Sequence, residues 1–516
     1  MASAMTPLDR RRSGIVLHPT SLPGPHGSGD FGPAAFHFVD WLLAAGQSVW
    51  QMLPLNPIGP GNSPYASVST FAGSPLLIAL EPIVAKGWLA PIGTVETARF
   101  DARHVDFDRV TRWRMEKLRA AAHGFFCRAD ASDRGAFTAY CAAQAHWLDD
   151  YALFMAIDES LRAGPGFAPW PQWDAPLARR DPRALAAARR RHAKAVDFWR
   201  FAQWCFDMQW QAVRRHANER GVLLVGDLPI FVAHHSADCW TRPDLYLLDD
   251  GFEPAVVAGV PPDYFSATGQ RWGNPLYDWA AMQRDGYAWW IARVRRQLEL
   301  ADWLRIDHFR GFAGCWEIPA ASATAISGQW TPGPGADLFE AMDRVLGRLP
   351  LIAEDLGVIT PDVEALRDRF GLPGMRILQF AFGADADHPY LPHNYVANTC
   401  AYTGTHDNDT FAGWWSAASA REREFAAAYL DCSAGDAHWA AIRTVSRSVA
   451  RLAMFPLQDA LGLDSAHRMN TPGREQCWTW RFTWDMVGPQ AARRLARISA
   501  ACGRAPLAHL ELSSAG

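Results

Sequence analysis

The chain contains no run of about eighteen apolar residues, so neither a membrane-spanning helix nor a membrane partner is expected. It also lacks an excess of basic charge. Fifty Lys and Arg against 54 Asp and Glu give a formal net charge of −4, which offers no ground for a nucleic-acid partner. One local basic cluster, Arg179, Arg180, Arg183, Arg189, Arg190 and Arg191, sits among Ala and Leu and reads as a solvated helix face. The 9 cysteines are scattered and odd in number, and none forms a Cys-x-x-Cys pair. That pattern argues against a disulfide framework and a zinc site, and for a reducing compartment. Residues 1–13 carry arginines but no apolar core of signal-peptide length, so a cytoplasmic protein is expected. Internal repeats and low-complexity linkers are missing too. Gly24, Gly27 and Gly29 lack a phosphate-binding pattern and read as turn residues.

What is present is apolar and punctuated. Hydrophobic residues make up 49% and charged residues 20% of 516, a globular composition with ample material for a large core. Eight apolar runs read as parallel strands: 14–17, 48–53, 221–225, 303–306, 351–353, 375–380, 400–403 and 451–456. Several are rich in Val, Ile and Leu without clean alternation, as in strands covered on both faces. Amphipathic stretches such as 32–45, 198–218, 336–346 and 362–370 follow or separate them. The expected fold class is α/β, a (β/α)₈ TIM barrel over residues 14–500, with tails at 1–13 and 505–516. Roughly 170 residues separate the second and third runs and roughly 75 the third and fourth, too many for plain connections. Large insertions on the C-terminal face of the strands are therefore expected, at about 60–215 and 230–298.

Three of the runs end in acids: Arg305-Ile306-Asp307-His308, Ala353-Glu354-Asp355 and His406-Asp407-Asn408-Asp409. Carboxylates at the C-terminal ends of several parallel strands converge only if the strands close into a barrel. Two or three acids in one uncharged cleft suit cleavage of a glycosidic bond. Residues two apart on a strand share a face, so Arg305 and Asp307 should point together into the barrel mouth, and the guanidinium favours an ionised nucleophile. Glu354, at the end of an apolar run, has the surroundings that raise a carboxyl toward the range of a general acid. Asp355 points the other way and is expected to hold the loop. Spacing alone leaves Asp407 and Asp409 as alternatives for a third carboxylate.

Further motifs surround these acids. They include His18-Pro19-Thr20-Ser21-Leu22-Pro23-Gly24, Ser63-Pro64-Tyr65, Gly226-Asp227-Leu228-Pro229 and Pro261-Pro262-Asp263-Tyr264-Phe265. Gln270-Arg271-Trp272-Gly273-Asn274-Pro275, Pro456-Leu457-Gln458-Asp459 and Arg468-Met469-Asn470-Thr471-Pro472-Gly473 complete the set. In this order, over about 14–480, the sequence resembles the amylomaltases, 4-α-glucanotransferases of the disproportionating type in the α-amylase clan. The resemblance implies Asp307 as nucleophile, Glu354 as general acid/base and Asp407 as transition-state stabiliser. It also implies that Arg305 positions the nucleophile and that His308, His406 and Asp227 contact the sugar beside the cleaved bond. Tyr264, Phe265, Gln270 and Trp272 would cover the bound glucan from a loop over 259–275, with Tyr65 and Asn470 nearer the cleft walls. No cofactor and no metal are expected.

The reaction so implied is a retaining double displacement in which a sugar 4-hydroxyl replaces water as acceptor. The partners are maltooligosaccharides and other α-1,4-glucans, with glucose as acceptor, acted on by a monomer or weak homodimer. An α-glucan hydrolase could use the same acids with water as acceptor. A non-catalytic glucan-binding protein would be expected to have lost one of them. The 24 tryptophans serve either cores or sugar stacking. Those between 147 and 210 are expected in the core, and Trp272, in a polar loop, against sugar.

Overall fold

The computed structural model describes residues 10–162, 168–262, 266–474 and 476–506. In chain order the strands are β1 (Arg12–Val16), β2 (Val49–Gln51), β3 (Leu223–Pro229), β4 (Val256–Val260), β5 (Gln270–Pro275) and β6 (Trp303–Asp307). There follow β7 (Gly314–Pro319), β8 (Gln329–Pro332), β9 (Leu351–Ala353), β10 (Gly374–Ile377), β11 (Thr399–Tyr402) and β12 (Leu452–Pro456). Eight of them close a parallel barrel in the order β1-β12-β11-β10-β9-β6-β3-β2. Each of the eight apolar runs contributes one of these strands. The run over 375–380 overshoots, because the chain turns into a 3₁₀ helix at Leu378–Ala381.

Alternation along the strands explains why the runs look uniformly apolar. Val16, Val49, Val225, Trp303, Ile352, Cys400, Tyr402, Leu452 and Met454 pack together as the barrel interior. Their neighbours Ile15, Trp50, Leu224, Leu304, Leu351, Ala401 and Phe455 belong to the core between barrel and helices. Both faces are buried, so both select apolar side chains. The same parity carries the polar strand ends: Asp227 follows Val225 inward, Arg305 and Asp307 follow Trp303, and Glu354 follows Ile352. Across the interior, the Tyr402 hydroxyl donates to Gln51 Oε1 at 2.9 Å.

The barrel helices follow their amphipathic patterns. Pro33–Ala44 lies after β1, Ala193–Glu219 before β3, Ala288–Leu300 before β6 and Ala336–Leu346 before β9. The last buries Leu338, Phe339, Ala341 and Met342 and ends at Gly347, whose φ of 75° suits a residue without a side chain. Most of Ala193–Glu219 falls within the insertion expected at about 60–215. This helix is part of the barrel layer, with the Trp210 indole donating to Leu300 O at 2.7 Å. The tryptophans at 147, 170, 173, 199, 204 and 210 are all buried.

The inserted elements are of two kinds. Between β2 and Ala193 lie the helices Phe107–Arg128, Ala131–Ala143 and Ala145–Arg162. The first two start at aspartate caps, Asp106 and Asp130, which accept from backbone N–H groups of the first turn. The basic cluster sits on and beside the helix Pro182–Arg191, where Arg180 and Arg189 both pair with Asp150. The second insertion is an antiparallel sheet of order β5-β4-β7-β8. It joins the segment after β3 to the segment after β6 and has its own small core of Val257, Ile318 and Ala325. The stretch over 259–275 is thus not simply a loop: its two arms are strands. Among the described residues, no helix is long and apolar enough to cross a membrane. The cysteines at 127, 141, 205, 239, 315, 400, 432 and 502 are free thiols.

Candidate active site

A cleft of about 1740 Å³ opens at the C-terminal end of the barrel. Asp307, Glu354 and Asp407 line it together with Arg305, His308 and His406. Three separate strand ends deliver the acids, which only barrel closure can bring to one place.

Arg305 organises the floor. Its Nη1 stands 2.8 Å from each oxygen of Asp227, and its Nη2 is 2.9 Å from Asp307 Oδ1. Burial opposes the guanidinium's charge, but Asp227 and Asp307 outweigh it and hold its pKa well above the ordinary value. Asp227 is only 2% exposed and does not line the cleft. Its oxygens are taken by Arg305 and Tyr65. The Tyr65 hydroxyl is 2.7 Å from Asp227 Oδ2 and 2.9 Å from His406 Nε2, and its ring stacks on the His406 ring at 5.4 Å. Tyr65 thus lines the cleft while linking Asp227 to His406.

Glu354 meets Asp307 through the backbone. The peptide N–H of His308, the residue after Asp307, donates to Glu354 Oε2 at 2.6 Å. Leu356 N–H donates to Oε1 at 3.0 Å. His308 adopts a left-handed conformation, φ 53° and ψ 50°, uncommon for a residue with a side chain. Burial pushes the Glu354 carboxyl up to about 8, with Asp307 adding to the rise, against the opposing pull of Arg305 and the two N–H donors. Burial likewise lowers the His308 imidazole to about 4. Asp355, of opposite parity, turns outward and accepts from Arg367 Nη1 and Met375 N–H, each at 2.6 Å, tying the Glu354 loop to the next strand.

The alternatives at 407 and 409 separate in space. Asp407 lines the cleft, and its Oδ1 accepts from Asn470 Nδ2 at 2.6 Å. Asp409 accepts from the Ser465 hydroxyl at 2.8 Å and does not line the cleft. Asn470, like Tyr65, thus sits at the acids.

Gln270 and Trp272 lie on β5 and line the cleft. The Trp272 indole is 39% exposed, stands edge-on to the His308 ring at 4.8 Å, and donates to Gln270 Oε1 at 3.2 Å. The Asn274 amide donates to Val232 O at 2.8 Å and so braces the sheet. Tyr264 and Phe265 lie outside the described residues. Other cleft residues carried no sequence signal, among them Trp330, Phe380, Met155 and Trp478. Trp478 packs on Tyr65 and His406 from a segment with no motif of its own. One group of potential metal ligands occurs among the described residues: His26, Asp30 and Glu81. It is outside the cleft, and Arg114 Nη2 already occupies Asp30 Oδ2 at 2.6 Å, so a cation would meet a guanidinium there.

The 4-alpha-glucanotransferase family profile matches residues 17–486. The chain belongs to this family. Its relatives include the 4-alpha-glucanotransferase of Thermus thermophilus, 47% identical over 503 residues, 96% of this chain and 99% of that one. The chloroplastic/amyloplastic 4-alpha-glucanotransferase of Arabidopsis thaliana is 44% identical over 92% of this chain and 82% of its own length. Among solved structures, an amylomaltase from Streptococcus agalactiae in complex with acarbose superposes with a TM-score of 0.91 at 34% identity, covering 96% of this chain and 100% of that one. An amylomaltase from Corynebacterium glutamicum, 18% identical, shares the fold with a TM-score of 0.77 over 96% of this chain and 76% of its own.

Proposed function

We propose that this member of the 4-alpha-glucanotransferase family transfers segments of α-1,4-glucans to the 4-hydroxyl of glucose or another glucan by retaining double displacement at Asp307 and Glu354. One observation carries the proposal. Glu354 is buried with its carboxyl raised to about 8, and it is hydrogen-bonded to the peptide that follows Asp307, itself paired with a permanently charged Arg305. Two adjacent carboxyl groups in such different environments divide the roles of proton donor and nucleophile.

In the first step an Asp307 oxygen attacks the anomeric carbon while Glu354 gives its proton to the departing glycosidic oxygen. The product is a β-glucosyl ester and a shortened glucan. In the second step the acceptor's 4-hydroxyl loses its proton to Glu354 and attacks the same carbon, releasing Asp307 and restoring the α-bond. Asp407, oriented by Asn470, faces the positive charge that develops on the ring. Tyr65, His406 and His308 offer hydrogen-bond partners for hydroxyls of the sugar at the cleaved bond, while Asp227 positions Arg305 and Tyr65 from below. The sheet bearing Trp272 covers the site beside His308. Holding an acceptor there makes its attack nearly intramolecular, with effective molarities of roughly 10⁵ M or more in favourable cases, enough to compete with bulk water.

The scattered, odd-numbered cysteines fit a reducing cytoplasm, and the chain is proposed to act there as a monomer or weak homodimer. Chromatography of products from pure maltotriose tests the activity. Glucose with a ladder of longer oligomers is the expected result; glucose and maltose without the ladder would mark a hydrolase.

A further inference from the structure

Trp330 has no part in the chemistry described, yet it is built as a binding surface. It is 41% exposed, lines the cleft, and lies on β8. Arg310 covers one face of the indole, its guanidinium carbon 3.8 Å from the ring centroid. Arg310 is itself buried and pinned, its Nη1 donating to Val358 O at 2.8 Å and Thr360 Oγ1 at 3.0 Å. Trp316 abuts Trp330 at 5.3 Å with planes inclined by 67°, and its own indole N–H donates to Ala325 O at 2.8 Å. The Trp330 ring is thus fixed from one face and by a neighbouring ring, while two-fifths of the residue stays open. A buried cation behind an exposed indole holds the ring in one orientation. Such a ring can stack on the apolar face of a sugar without first losing rotamer freedom.

Its position specifies which sugar. Val358 and Thr360, the residues that pin Arg310, belong to the loop that leaves Glu354, and Leu356, Gly357 and Val358 line the cleft there. Trp330, on the segment between β6 and β9, is therefore tied through Arg310 to the loop that leaves Glu354. The oxygen that Glu354 protonates leaves on the Glu354 side. Glu354, Leu356, Gly357, Val358, Arg310 and Trp330 line the same cleft, so a glucan leaving on that side has Trp330 within the cleft it leaves through.

We propose that Trp330, backed by Arg310, is a stacking platform for the acceptor glucan beyond the sugar whose hydroxyl reacts, so that it favours oligomeric acceptors over glucose. This rests on the reading of Glu354 as the proton donor. The test lets labelled glucose and labelled maltotetraose compete for the same unlabelled donor and compares the parent with Trp330→Ala and Trp330→Phe. Trp330→Ala is expected to lower the preference for maltotetraose over glucose by about tenfold, equivalent to about 1.4 kcal/mol, and Trp330→Phe to retain most of it. Adding Trp330→Ala to Asp307→Asn, where turnover does not consume the ligand, should weaken maltoheptaose binding by a similar factor in calorimetry.

An unchanged preference and an unchanged affinity overturn the proposal. A loss shared equally by both acceptors, with a displaced pH profile, also overturns it, since Trp330 would then only support the Glu354 loop. If affinity falls but acceptor preference does not, the platform is not on the acceptor side. Failure of the Glu354 reading is recognised separately, by equal losses in Glu354→Gln with maltotriose and with a glucosyl fluoride.

Discussion

At the residue scale, the site depends on two carboxyl groups that the fold treats differently. Asp307 keeps 30% of its side chain open to the cleft beside Arg305, whereas Glu354 is buried and receives two backbone N–H groups. Asp307→Asn should lower transfer by about 10³-fold or more with the circular-dichroism spectrum unchanged, because an amide cannot form the ester. Activity within about tenfold of the parent would remove Asp307 from the nucleophile's role. Glu354→Gln should nearly stop transfer from maltotriose but lose far less with a glucosyl fluoride, whose leaving group needs little protonation. The same group sets a pH dependence. In the proposed role Glu354 acts protonated, so kcat/KM for maltotriose should fall as pH rises through about 8. Because its folded-state pKa is raised from 4.5 to about 8, its stabilising contribution is full below about pH 4.5 and lost as pH climbs to 8. Melting curves of Glu354→Gln should accordingly gain on the parent between pH 5 and pH 9. A constant difference across that range would contradict a buried, raised Glu354.

At the scale of elements, the barrel mouth is roofed by a sheet assembled from two separate crossovers. β4 pairs with β5 on one side and β7 on the other, so the strand carrying Trp272 is held by a segment that begins seven residues after Asp307. Trp272 meets the ring of His308 edge-on, and His308 is the residue after Asp307, the proposed nucleophile. Trp272→Ala should reduce the ratio of oligomer synthesis to new reducing ends, the product of hydrolysis, more than it reduces donor consumption. A proportional fall in both would mean that the indole only binds donor. The family resemblance pointed to Gln270 and Trp272, in the stretch over 259–275, as lying beside the cleft, and both line it. That the stretch is two strands of a sheet completed by β7 and β8 was not legible. Its partners lie about forty to sixty residues away, and short polar strands such as Gln329–Pro332 owe their pairing to tertiary contact rather than to propensity.

At the scale of the whole molecule, barrel closure joins distant parts of the chain, and a single buried side chain reinforces it. Arg504 is fully buried after the last helix, Pro489–Ala501. It donates to Arg12 O on β1 at 2.8 Å, to Ser446 O at 2.7 Å and to Ala450 O at 2.7 Å just before β12. These acceptors stand beside the β1–β12 seam, where the first and last barrel strands meet. Arg504→Ala leaves several buried carbonyls without donors and should destabilise the protein by about 3 kcal/mol or more in denaturant titrations, with KM for maltotriose little changed. A loss below about 1 kcal/mol would show that the seam holds without the arginine.

The sequence by itself determined the eight barrel strands, their inward parity and the three acidic strand ends. These are local quantities: strands buried on both faces demand apolar side chains whatever they pack against, and period-two geometry decides which residues share a face. Parity alone assigned Glu354 inward and Asp355 outward. Parity could not separate Asp407 from Asp409, since residues two apart on a chain share a face; the tertiary structure separates them by what approaches each, Asn470 for one and Ser465 for the other. It likewise joined Tyr65 to Asp227 and His406, and Asn470 to Asp407. Each of these depends on side chains from different barrel strands meeting at one point. That meeting is a property of the closed barrel, and no local spacing along the chain encodes it.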